Sequence, residues 1–261
     1  MSKGYLVMAQ GEQYARQAEV LAHSIKQTQS DINQLSVITD CEVDSSLFDS
    51  VIKIEDDLAA NSNWKIENRI KFYDLTPYDE TVILDSDMLF LSDVSHWWNL
   101  FDKYELLLTN KVMTYRGTEV EDNFYRKTFN MNELPNVYSA FTYFKKTPTV
   151  DTFFKLIKSI VTNWKEWTEE YTPLESQRFP SIDTAMAIAV KVLDIEDQVT
   201  SKLTYPTFTH MKGMCQGWNK PSLEWSDVLG LYRTSTELKL GAFPQTGILH
   251  YVKKDFYDSV L

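Results

Sequence analysis

Residues 81–93, TVILDSDMLFLSD, decide how the rest of the chain is read. Thr81-Val82-Ile83-Leu84 suits a buried strand, runs into Asp85-Ser86-Asp87, and the chain then turns apolar again. Like carboxylates repel, and burying them costs free energy unless something positive lies between them. In an extended segment residues i and i+2 point the same way, so Asp85 and Asp87 aim at one point. At the C-terminal end of a parallel strand that point falls in the crevice where α/β sheets bind ligands. A divalent cation there removes the repulsion, accepts oxygen ligands and can hold a diphosphate as it departs. The competing reading is a turn in which both Asp residues only cap local backbone.

Working outward, the pattern is α/β. Tyr5–Ala9 reads as a buried strand, Tyr14–Gln27 as a helix with its apolar residues at helical spacing, and Leu35–Thr39 as a second strand. This βαβ opening predicts a mostly parallel Rossmann-like sheet flanked by helices. Further strands are expected at Ser50–Ile54, Leu106–Thr109, Tyr138–Phe144 and near Gly247–Val252. Helices are expected at Trp64–Leu75, Val94–Phe101, Thr149–Trp167 and Asp183–Val192. Asp93 is expected to cap the short helix near Val94, and Ser181 to cap the one at Asp183. One domain is expected across residues 1–261, the second half adding strands and helices to the same sheet.

Composition narrows the function. The 261 residues are 43% apolar and carry a formal charge of −11, which disfavours nucleic-acid and anionic-membrane partners. An anionic ligand would then need a metal or a few placed Lys and Arg residues. There are 8 glycines and neither a GxGxxG nor a P-loop stretch, so dinucleotide and P-loop readings lack their motifs. No run approaches a transmembrane helix, and the apolar part of the N-terminus is too short for a signal peptide. Cys41 and Cys215 form no cluster, which favours a reducing, cytoplasmic setting.

The series KFYDLTPYDETVILDSDMLFLSDV, residues 71–94, resembles the segment leading through the Asp-x-Asp motif of GT-A fold glycosyltransferases, especially family eight and the glycogenin type. The opening YLVMAQGEQYARQAEVLAHSI and the closing ILHYVKK are similar to that family's first strand and helix and to its C-terminal His motif. The resemblance implies a retaining sugar transferase with a nucleotide-sugar donor, most readily a UDP-sugar, and a glycan or other hydroxyl acceptor. Residues 1–110 would form the nucleotide-sugar-binding half and residues 111–261 the acceptor-side half. It implies Asp85, Asp87 and His250 as metal ligands, and an imidazole moves preference from Mg²⁺ toward Mn²⁺. Ala9 and Tyr14 fall at the nucleobase, and Arg69 or Lys71 at the donor phosphates. Ser86 falls between the acids. Ser139 falls in a segment where Ala140 replaces the family's Gly. Asp183 falls near the reacting sugar as the catalytic residue. The family's Gly and Lys after the His are not kept, since Lys253 and Phe256 occupy those positions, and Lys253 is the candidate for the diphosphate. Trp218, in KGMCQGWNKP with Gly217, Asn219 and Pro221, is a candidate for the acceptor side.

Three other readings stay open. A haloacid-dehalogenase-type phosphatase also begins with Asp-x-Asp after a strand, but Leu89 and the mid-chain placement argue against it. A nucleotidyltransferase would want a Gly-rich basic first loop, where this chain has Gly11 and Glu12. A non-catalytic relative would bind sugar without metal.

Overall fold

The computed structural model describes residues 1–60, 66–120, 126–175, 177–203, 205–218, 224–234 and 237–256. In chain order the strands are β1 Lys3–Ala9, β2 Leu35–Thr39, β3 Ser50–Lys53, β4 Glu80–Leu84, β5 Met88–Phe90, β6 Leu106–Thr109 and β7 Tyr138–Lys145. They continue with β8 Thr209–His210, β9 Leu231–Arg233, β10 Leu238–Leu240, β11 Phe243–Gln245 and β12 Ile248–His250. The main sheet has the order β3-β2-β1-β4-β7-β6. β3, β2, β1 and β4 are parallel, and β7 runs against both of its neighbours, β4 and β6. The expected α/β sheet is therefore present, and the second half of the chain contributes β7 to its interior.

Alternation along the strands divides the core. Tyr5, Val7, Val82 and Leu84 face the first helix, Glu12–Thr28, which buries Ala18, Leu21, Ala22 and Ile25 against them. Leu6, Ile38 and Ile83 face the other way, toward Phe153, Ile157, Ala185 and Ile188 of the helices Pro148–Thr162 and Ile182–Leu193. Each buried Val, Leu, Ile or Phe among them contributes about 1.5–3 kcal/mol. A third cluster, with Met211, Trp225, Leu249 and Tyr251, lies under the C-terminal strands.

Several expected boundaries move. The helix expected at Thr149–Trp167 is two helices, Pro148–Thr162 and Trp164–Tyr171, because the Asn163 side chain bonds back to the Ser159 carbonyl at 3.0 Å and the backbone leaves the helical region there. Pro148 starts the first of them, and Thr147 caps it by accepting from Val150 N–H. The helix expected at Trp64–Leu75 is a 3₁₀ turn, Glu67–Lys71, followed by Phe72–Leu75; Trp64 lies outside the described residues. Asp93 accepts from Ser95 N–H at 2.8 Å, but the cap position of the short helix Ser95–Trp97 is Val94, so Asp93 supports the turn from one residue before it. Ser181 makes no side-chain cap bond. No helix among the described residues is long and apolar enough to cross a membrane.

Candidate functional site

The strand order reverses between β1 and β4: the chain winds outward to β2 and β3 on one side and to β7 and β6 on the other. The carboxyl ends of strands at such a reversal leave a crevice that side chains can line. β1 ends in Gln10 and Gly11, where a φ of +88° turns the backbone into the first helix. β4 ends in Asp85-Ser86-Asp87. This turn is pinned from two sides, since Asp85 N–H donates to the Ala140 carbonyl of β7 at 3.1 Å and Tyr251 N–H to the Asp87 carbonyl at 3.1 Å.

The second of those bonds explains how His250 arrives. β5 continues from the acidic turn and pairs antiparallel with β12, which sets His250 opposite Met88, one residue past Asp87. His250 Nε2 lies 3.0 Å from Asp87 Oδ1 and 3.8 Å from Asp85 Oδ2. The three ligand-capable atoms lie within 4.8 Å of one another. Adjacent ligands about 2.1 Å from an octahedral cation sit about 3 Å apart, so the set needs little closure to hold one. Two carboxylates and an imidazole suit Mn²⁺ better than Mg²⁺ or Ca²⁺.

The carboxylates of the site are balanced by Arg69 and His250. Burial opposes ionisation of Asp87, but His250 and then Arg69 outweigh it and hold the carboxyl below its usual range. Burial likewise opposes a charge on His250, and Asp87 and Asp85 together raise its pKa above that of a free imidazole. Among the described residues nothing hydrogen-bonds to His250 Nδ1; the ring is held by packing on Phe208 and His210, with centroids 5.6 and 4.7 Å away.

The acids open onto a cavity of about 390 Å³, lined on the β1 side by Met8, Gln10 and Tyr14 and on the β7 side by Tyr138, Ser139 and Ala140. Solved structures similar to this chain include several glycosyltransferases. The chain superposes on mouse xyloside xylosyltransferase 1 with a TM-score of 0.55 and 13% identity, over 96% of this chain and 97% of that one. It matches the glycosyltransferase GlyE of Streptococcus pneumoniae TIGR4 at 0.54 and 14%, over 98% of this chain and 56% of that one. The bifunctional glycosyltransferase WbbM matches at 0.54 and 13%, over 98% and 48%. This is a GT-A fold. No family profile matches the chain, and no curated protein sequence does.

The GT-A frame brings some predicted residues together and leaves others apart. Asp85, Asp87, His250, Arg69, Tyr14, Ser86, Ser139 and Asp183 all line the cavity. Arg69 pairs through Nη2 with Asp85 Oδ1, so Asp85 Oδ2 is the oxygen turned to His250. Ser86 donates to Gln17 Oε1 at 3.1 Å, tying the turn to the first helix. Ala9 is fully buried in the core; strand alternation gives the cavity Met8 and Gln10 instead. Lys71 turns to the Asp56 carbonyl at 2.7 Å, and Lys253 lies 3.6 Å from Asp255; neither lines the cavity. Trp218 packs beside Tyr115 in the third cluster, while Asn219 and Pro221 lie outside the described residues.

Asp183 belongs to a second acidic centre. Its Oδ1 accepts from Ser139 N–H and Oγ–H at 2.9 and 2.6 Å, and its Oδ2 pairs with Arg126 Nη1 at 2.9 Å. Against the cost of burial, Arg126 and then Ser139 hold its carboxyl below the usual range. Arg126 stacks between Phe129 and Tyr138, 3.6 and 4.1 Å from their ring centroids. Arg126 escapes sequence reading because it lies 57 residues from its partner. Gln10, His210 and Lys212 were likewise not singled out. Gln10 has one local signal, its alternation with Met8; His210 and Lys212 reach the cavity only through strand pairing.

Proposed function

We propose that the chain is a metal-dependent glycosyltransferase that moves a sugar from a nucleoside-diphosphate donor, a UDP-sugar by its resemblance, to an acceptor hydroxyl with retention. One observation carries the reading: Asp85, Asp87 and His250 converge where the strand order of a GT-A sheet reverses, on the wall of a cavity of about 390 Å³. The bound cation, Mn²⁺ by the chemistry of the donor set, would neutralise the diphosphate as the sugar leaves.

The chain's own residues divide the remaining work. Arg69 fixes one oxygen of Asp85 and leaves the other for the site. His250 gives up its proton when it takes a ligand's place beside Asp87. Gln10 and Tyr14 face the nucleoside. Gln10 is well fixed for this, since its Oε1 accepts from the buried Asn68 amide at 2.9 Å and Asn68 in turn accepts from Leu58 N–H at 3.1 Å. Asp183 and Ser139, which line the same cavity, face the sugar.

Thermal shift with UDP-, GDP- and CDP-sugars, with and without Mn²⁺, tests the reading. A ligand at about one hundred times its Kd stabilises the native state by about 2.7 kcal/mol. For a chain of this size that is a rise of roughly 5–10 °C. One nucleotide should give such a rise only with Mn²⁺. No metal-dependent rise with any donor would refute the proposal.

A further inference from the structure

The cavity wall carries two basic side chains besides its histidines, Arg69 and Lys212, among the described residues. Arg69 is committed to Asp85. Of the lysines that follow His250 in sequence, Lys253 lies beside Asp255 and does not line the cavity, and the Lys254 ammonium lies 5.9 Å from the ring of Tyr14, which does. With Asp85, Asp87 and Asp183 on the same wall, an anionic ligand there depends on every cation the wall can supply.

Lys212 reaches the wall through a rigid mount. β8 pairs parallel with β12, which places His210 beside His250. Met211 N–H then donates to the His250 carbonyl at 3.0 Å, and the Met211 side chain is buried in the third core cluster. In this extended stretch alternation turns His210 and Lys212 together to the side opposite Met211, which is the cavity. Gln216 secures the stretch by donating to the His210 carbonyl at 2.6 Å while accepting from Tyr115 N–H at 3.1 Å. The Lys212 charge acts on both imidazoles, opposing protonation of His210 and of His250.

We propose that Lys212, on the part of the cavity lining that also carries His210 and His250, binds the donor diphosphate. This rests on the glycosyltransferase reading. Transfer breaks the bond between the sugar C1 and the phosphate oxygen and leaves the electron pair on that oxygen. C1 joins the acceptor oxygen, whose proton passes to the released diphosphate. An ammonium held at the diphosphate is worth most at that moment, because the negative charge there grows as the bond breaks.

Calorimetric titration with Mn²⁺ and UDP, GDP or CDP, and with UMP, GMP or CMP to match, tests this without any turnover. Lys212→Ala should weaken the diphosphate that the wild type prefers by about tenfold or more, the value of a charge-assisted hydrogen bond. Affinity for the matching monophosphate should change by less than about twofold in the same variant, a split that loss of structure alone does not give. Lys212→Arg should restore most of the affinity, and Lys253→Ala should bind like wild type. Unchanged diphosphate affinity in Lys212→Ala overturns the assignment, and so does equal weakening of diphosphate and monophosphate. A wild-type chain that binds none of the three diphosphates with Mn²⁺ overturns the glycosyltransferase reading and this assignment with it.

Discussion

Asp183 and Asp87 lie on the same cavity wall, and each is held below the usual carboxylate range by a cationic neighbour, but the neighbours differ in kind. Asp183 is paired with an arginine, which keeps its charge at any pH a protein meets. That guanidinium is sandwiched by Phe129 and Tyr138, and Ser139 occupies the other carboxylate oxygen. Asp87 is paired with a histidine, which can surrender its proton, and Asp85 stands close behind. The first centre is closed: its charges satisfy one another and tie the start of the helix Ile182–Leu193 to β7. The second is exchangeable, because a metal ion can take the place of one proton without leaving a buried charge unpaired. The two acids thus differ in whether their partner can leave, while both line the cavity.

The largest effect expected from this contrast is on stability at the closed centre. Arg126→Met removes the permanent partner of Asp183, whose carboxylate stays partly exposed to the cavity, and should cost about 3 kcal/mol, the low end for breaking such a pair. A lower urea midpoint at constant m value measures it. A loss below about 1 kcal/mol would mean that Asp183 finds another partner and that the centre is not closed. The same pair sets an acid limb. Because the folded pKa of Asp183 is lowered, its stabilisation is complete above the ordinary carboxylate range and is lost as pH falls through the folded value. Asp183→Asn, which cannot titrate, should be less stable at neutral pH and should approach wild type below pH about 4. Parallel curves for the two proteins would show that Asp183 does not carry this dependence.

At the exchangeable centre the same kind of substitution should spare the fold and remove function. Asp87→Asn keeps the shape and the Tyr251 backbone bond while deleting one ligand charge. Mn²⁺-dependent nucleotide affinity should fall by about a hundredfold or more, since even outer-shell changes at metal sites cost about ten- to a hundredfold. The variant should still melt cooperatively without metal, at a somewhat lower temperature, because the lowered pKa of Asp87 means that its ionised form contributes stability at neutral pH. Wild-type metal-dependent binding in this variant would remove the basis for the metal site.

How much of this was legible follows from distance along the chain. The acidic turn is local: a strand, two carboxylates at i and i+2, and the crevice that a parallel sheet creates. The sheet itself follows from the spacing of apolar runs. His250 was reachable only through the resemblance, because its place depends on β5 and β12, strands of three residues each. β8 has two residues, so His210 and Lys212 carry no periodic signal at all. Ala9 was the wrong member of its strand for the cavity by one residue, which in a structure of period two exchanges core for crevice. Asp183 is singled out by the resemblance, while its place in the first turn of a helix suggests only a capping role, and Ser181 makes no side-chain cap bond there. The carboxylate turns away from the helix N-terminus toward Ser139 and Arg126, a choice that neither Ser181 nor the local sequence encodes.

The smallest effect tests whether the closed centre acts as one unit. Ser139→Ala removes the 2.6 Å hydroxyl bond to Asp183 Oδ1 but keeps the backbone N–H at 2.9 Å. A hydrogen bond to a charged group contributes about 1.5–3 kcal/mol, and the retained N–H should limit the loss to about 1 kcal/mol. Nucleotide affinity with Mn²⁺ should not change, because Ser139 holds Asp183 and not the exchangeable acids. The double variant Ser139→Ala, Arg126→Met should lose less than the sum of the single losses. Once Arg126 is gone, Asp183 gains by binding a proton, and a neutral carboxyl has less need of the serine. That shortfall is the coupling energy, expected at about 0.5–1 kcal/mol for residues that share one partner. Strict additivity would mean that the serine and the arginine hold Asp183 independently, and the contrast with the histidine-paired centre would then rest on Arg126 alone.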